Sequence, residues 1–214
     1  MDSERTLREF GIKCEDQEAF SAAVIALRAH LEGDPTDSFA WMTLGDAYKV
    51  LSRFDDARSA MDQALIHASD KRRWMVMTRR AWVEEKSGHH EECEAWCERA
   101  FAQPDFSESR WPHVLRGGNL LRLERFADAE RLFRNATELD SEDDGDDLNE
   151  AWHMLGVSLL AQERMEEAAE AFQRALELDP QAEISRTQLE GLKQVEVARQ
   201  MIVEALLPKV DRLV

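Results

Sequence analysis

Apolar and small residues recur along this chain in a pattern whose clearest copy is the stretch from Asn149 to Ala182, NEAWHMLGVSLLAQERMEEAAEAFQRALELDPQA. Trp152, Leu155 and Gly156 stand three and four residues apart, the spacing that places side chains on one face of a helix. Ala168, Phe172 and Ala175 repeat that spacing after a break at Gln162–Arg164. The stretch therefore predicts two short amphipathic helices joined by a tight turn, with Pro180 stopping the second.

The same pattern returns about every 34 residues. A first, degenerate copy covers about 4–37, with Leu7, Phe10, Gly11 and Cys14 on one helix and Phe20, Ala23, Leu27 and Leu31 on the next. A clear copy at 38–71 carries Trp41, Leu44, Gly45 and Tyr48, then Phe54, Ala57, Met61, Ala64 and Leu65. The loosest, about 74–107, keeps Ala81 at the small position and fills its second helix with Cys93, Cys97, Ala100 and Phe101. A fourth, about 110–143, has Gly117, Leu120, Phe126, Ala129, Phe133 and Ala136. After 149–182 a last helical stretch predicts a cap, ending near Leu207 at Pro208. Its stripe is Leu192, Val195, Ile202 and Leu206, while Val197, Met201, Val203 and Leu207 lie off it and form a second apolar face.

Packing explains the recurrence. Gly11, Gly45, Ala81, Gly117 and Gly156 would let each first helix approach the second closely, facing Ala23, Ala57, Cys93, Ala129 and Ala168. One such pair cannot bury both apolar faces alone, so copies must stack.

The order Trp, Leu-Gly and Tyr, then Ala and Phe, then Pro resembles the tetratricopeptide repeat family over roughly 4–182, most fully in the second and fifth copies. The resemblance implies an all-α, right-handed α-solenoid of about five helix-turn-helix units, 1–182, followed by a C-terminal capping helix and tail, 183–214. It also implies that first helices line a concave groove. Carried over by position, that groove takes Arg5, Arg8 and Ile12 from the first unit, then Phe39, Met42, Asp46 and Lys49. Met75, Thr78, Trp82 and Glu85 follow, then Trp111, Val114, Gly118 and Leu121, and last Glu150, His153, Val157 and Leu160. Phe39, Met42, Met75, Trp82 and Trp111 would form an aromatic, apolar floor suited to a partner peptide or helix. Relatives that clamp the acidic C-termini of heat-shock chaperones use asparagines at two groove positions. Here the matching set, Arg8, Ile12, Thr43, Met75 and Arg79, has none.

Composition narrows the function classes. Nine Gly and five Pro in 214 residues, with 43% hydrophobic content, agree with helix and a continuous core. A net charge of −17 argues against nucleic acid and against anionic membrane surfaces as partners. Three cysteines, Cys14, Cys93 and Cys97, read as reduced thiols and not as a disulfide framework. The N-terminus has no secretory signal and no run is long enough to span a membrane, so a cytoplasmic location is expected.

Candidate chemistry is sparse. His89, His90, Cys93 and Cys97 are zinc-ligand types, but His89 to Cys97 spans about 12 Å of helix, too far for one ion. Cys93 and Cys97 also hold core positions. The acidic run from Asp140 has a glycine sixth, at Gly145, as a calcium loop would, yet Asp147 and Ala151 stand where an apolar residue and a glutamate belong. Gly117-Gly118-Asn119 lacks the strand and the Lys-Ser/Thr of a phosphate loop. No catalytic, cofactor or metal site is expected, and the chain reads as no enzyme. Lys71, Arg72, Arg73, Arg79 and Arg80 form a basic segment that either docks an acidic peptide or pairs with neighbouring acids.

The expectation is a non-catalytic interaction scaffold that takes a protein or peptide partner over Phe39, Met42, Asp46, Lys49, Met75, Arg79, Trp82 and Trp111. Self-assembly through the last helix, giving a homo-oligomer, is the alternative, and a regulatory subunit of an enzyme complex is a further one.

Overall fold

The structure, a computed structural model, describes residues 17–106, 109–139 and 145–210. All regular structure among them is helical. The helices are α1 (Gln17–Gly33), α2 (Ser38–Val50), α3 (Phe54–His67), α4 (Asp70–Lys86), α5 (His90–Phe101), α6 (Arg110–Arg122), α7 (Phe126–Glu138), α8 (Gly145–Ala161), α9 (Met165–Leu178) and α10 (Glu183–Val210). They fall into two compact units, Met1–Glu108 and Ser109–Val214. The first helix expected at 4–16, with Arg5, Arg8 and Ile12, lies outside the described residues.

In the first unit α1 packs on α2, α2 on α3, α3 on α4 and α4 on α5, with α2 also beside α4. Val24, Leu31, Leu44, Tyr48, Met61, Val76 and Val83 belong to its core. In the second unit α6 and α7, then α8 and α9, form hairpins, α7 joins α8, and α10 closes on α9. Leu120, Phe133, Leu155, Leu159 and Phe172 are fully buried there. Stacked helix hairpins of this kind make an all-α solenoid.

Each hairpin turns through one left-handed residue: Ser52, Gly88, Glu124 and Glu163, with φ of 56°, 81°, 58° and 61°. Asp37 caps α2, its carboxylate accepting from the Phe39 and Ala40 amides at 3.0 Å. Two first helices also reach across their own hairpin. Ser38 Oγ donates to the Ala64 carbonyl at 2.9 Å, and Arg110 Nε donates to that of Ala136 at 2.8 Å, each 26 residues on. These bonds satisfy carbonyls that a helix end would otherwise leave open.

The small residues leave room for a large side chain on the facing helix. A Cβ on Gly45 would lie 2.8 Å from Met61, and on Gly117 or Gly156 it would lie 2.6 Å from the ring of Phe133 or Phe172. The missing side chain thus makes room for the large residue 16 positions on. At the same spacing from Ala81 the chain has a smaller residue, Cys97. Tolerance of a Cβ there follows from the volume given up on the other helix.

Three boundaries also move. α4 starts at Asp70, ahead of Trp74, because Lys71–Arg73 are good helix formers that continue its pattern backward. α8 starts at Gly145, inside the acidic insert, whose residues 140–144 lie outside the described residues. α10 runs through Pro208 to Val210.

Candidate functional site

Two neighbouring first helices of the first unit, α2 and α4, carry most of the residues expected at a binding face. Asp46 and Lys49 are one turn apart on α2, and Arg79 and Trp82 are one turn apart on α4. Asp46 ties the helices together. One carboxylate oxygen accepts from Arg79 Nη1 at 2.5 Å and the other from Lys49 Nζ at 3.2 Å. The Lys49 ammonium sits over the Trp82 ring, 2.7 Å from its centre. At the end of α4, Lys86 pairs with Glu85 at 3.2 Å.

Lys49 is the unusual member, because its side chain is only 4% exposed. Burial pushes its amine down to about 8, partly opposed by Asp46 and assisted by the like charges of Arg79 and Lys86. The ring face of Trp82 offers the ammonium a substitute for lost water. A consequence follows for stability. Below pH 8 both folded and unfolded chains hold the Lys49 proton, and the folded state bears the full cost of the buried charge. Between about 8 and 10.5 only the unfolded chain keeps it, so this group adds stability as pH rises through that window. Urea titrations at pH 8 and 10 should show a gain of about 2 kcal/mol in the wild type that Lys49→Met lacks.

The other expected residues are placed as follows. Phe39 is half-buried against the core, and Met75 is half-buried on α4. Met42 is only 5% exposed and belongs to the core. The reason is that α2 is covered on both sides: Met42 shares a face with Gly45 and Lys49, which are also buried, while Ala40, Leu44 and Ala47 bury the opposite face. Trp111 stands half-buried on α6, in the second unit.

The basic segment divides. Arg79 is engaged by Asp46. Arg80, its side chain 10% exposed, turns inward to Glu84 and lies 3.6 Å from Asp62. It is thereby removed from any docking surface. Glu84, 5% exposed, also receives Arg58 from α3 through two nitrogens, at 3.1 and 2.8 Å. Burial alone would raise the Glu84 carboxyl, and the guanidinium groups of Arg58 and Arg80 more than reverse this, holding it below the ordinary range. Ser87 Oγ and His89 Nδ1 complete the cluster around Arg58, at 2.8 and 2.9 Å. Nothing in the sequence pattern pointed to Glu84. Its only signal was an acid four residues after an arginine within the core stripe of α4.

Cys93 and Cys97 are buried, at 0% and 1% exposure, in keeping with their positions in the stripe. Gly117-Gly118-Asn119 lies inside α6, where a helix leaves no loop to cradle phosphate. No described helix is long and apolar enough to cross a membrane.

A family model, the tetratricopeptide repeat, matches residues 42–106 and 115–183. No curated protein matches the chain. Among solved structures the chain is similar to TTC0263, a thermophilic protein of the same repeat class from Thermus thermophilus, at 19% identity and a TM-score of 0.64 over 90% of this chain and 100% of that one. It is similar to MamA at 16% identity and 0.63, over 84% and 96%. It is also similar to YrrB, described as having an unusual peptide-binding site, at 17% identity and 0.59, over 85% and 96%.

Proposed function

The chain belongs to the tetratricopeptide repeat family, and on that footing we propose that it is a non-catalytic scaffold whose α2–α4 face binds a segment of a partner protein. The family is one of protein-interaction modules, and the peptide-binding site ascribed to YrrB supports a similar use of the fold here. The observation that carries the reading is the Asp46–Arg79–Lys49–Trp82 cluster. A lysine withdrawn from water and held over an indole ring costs stability. A face built for folding alone would place an apolar residue there.

The partner segment lies over Trp82, Met75 and Phe39, with Met42 beneath as support. A carboxylate of the partner exchanges with Asp46 for the Arg79 guanidinium, which a planar, two-pronged donor does with directional preference. These residues all belong to the first unit, and Trp111 stands on α6 in the second. Capture from lysate followed by mass spectrometry, run in parallel with wild type and Trp82→Ala/Met75→Ala, tests this. Proteins retained by the wild type should fall at least about tenfold on the folded double variant. Equal recovery of every protein by both would overturn the reading.

A further inference from the structure

The second unit carries another open surface, between α9 and α10, which is independent of the α2–α4 face. In two earlier hairpins the fifth residue of the second helix ties that helix to the turn leading into the next second helix. Arg58, fifth in α3, binds Glu84, Ser87 and His89, at the end of α4 and the start of α5. Glu130, fifth in α7, accepts from Gln162 at 2.9 Å and Arg164 at 2.6 Å, at the end of α8 and the start of α9. The fifth residue of α9 is Ala169. No turn or second helix faces it among the described residues, because α10 continues as one helix for 28 residues where α8 stops after 17.

What remains at that place is a groove of about 590 Å³. Its apolar floor is Met165, Ala169, Leu192 and Val195, with Met165 46% and Val195 51% exposed. The rim carries Glu163, Glu166, Glu167 and Glu196 against Arg164 and Lys193. Arg164 is already shared between Glu130 and Glu167, which leaves the rim acidic.

We propose that this groove docks an amphipathic helix of a partner protein, apolar on one side and flanked by Lys or Arg, which takes the place of the second helix of a sixth hairpin. The apolar floor calls for an i, i+3, i+4 anchor set, and the acidic rim selects basic flanks over acidic ones. A second copy of this chain, at −17, fits that rim poorly.

The test uses the full chain and two synthetic 18-residue peptides sharing one leucine stripe, flanked by lysines in one and by glutamates in the other. Fluorescence anisotropy should show binding of the lysine peptide, with the glutamate peptide weaker by at least about tenfold. Met165→Ser/Val195→Ser leaves the net charge intact and should weaken the lysine peptide by at least about tenfold. Trp82→Ala should leave its binding unchanged. No binding of the lysine peptide, or binding indifferent to the serine pair, overturns the proposal. So does a dimer by light scattering that the serine pair dissolves, since the groove then belongs to a second copy.

Discussion

Phe172→Ala should cost about 3–5 kcal/mol in a urea titration followed by helical circular dichroism, and Gly156→Ala about 1–3. The two numbers have one source. Phe172 is wholly buried, and its ring stands where a side chain on residue 156 would be, with three ring atoms within 2.9 Å of the missing Cβ. Removing the ring leaves a cavity between α8 and α9, whereas adding a methyl forces the ring out of its place. The alanine also brings about 1 kcal/mol of helix propensity, which partly masks the clash. The decisive combination is Gly156→Ala with Phe172→Leu. The double variant should lose less than the two single variants together, because the smaller branched side chain vacates the space. Strict additivity would mean that the glycine serves something other than close approach to the ring.

Glu84→Ala should cost about 3 kcal/mol, since it strands two arginines that the fold has drawn inward. Arg80 would keep only Asp62, at 3.6 Å, and the face of Trp96, at 5.3 Å. Arg58 loses less because Asp55 still holds it at 2.8 Å. Glu84→Gln preserves shape and part of the bonding and should cost less than the alanine. The pH dependence has a definite sign. The folded Glu84 carboxyl is held below its ordinary value, so its contribution is complete above about pH 4.5 and fades as pH falls through the lowered value. The gap between wild type and Glu84→Gln should therefore be constant near neutrality and close in acid. A gap that widens below pH 4 would contradict the assignment of Glu84 as the charged partner.

Architecture was legible from the sequence because it rests on periodicity. The stripes through Phe133 and Phe172, the small residues opposite them and the break at Gln162–Arg164 are all local patterns that a single helix imposes. What spacing gives is a face, however, and not the depth of a residue in it. Met42 shares the expected binding face of α2 but sinks into the core, which only the neighbouring helices decide.

Charges were the least legible part. Arg79 and Arg80 are adjacent in the chain and similar in type, yet one reaches Asp46, 33 residues back, and the other turns to Glu84 and Asp62. Such pairings depend on how hairpins stack, and nothing local announces them. The cap of Lys49 over Trp82 is likewise a contact between α2 and α4. It converts two residues expected merely to line a groove into an organised cluster.

The central claim is that a partner lies on α2 and α4 around that cluster. Hydrogen exchange of the chain, alone and in complex with a captured partner, measures this most directly. The account predicts added protection concentrated in peptides covering residues 39–49 and 75–86, lost with the Trp82→Ala/Met75→Ala variant. Protection confined to other helices, with these two segments unchanged, would contradict it.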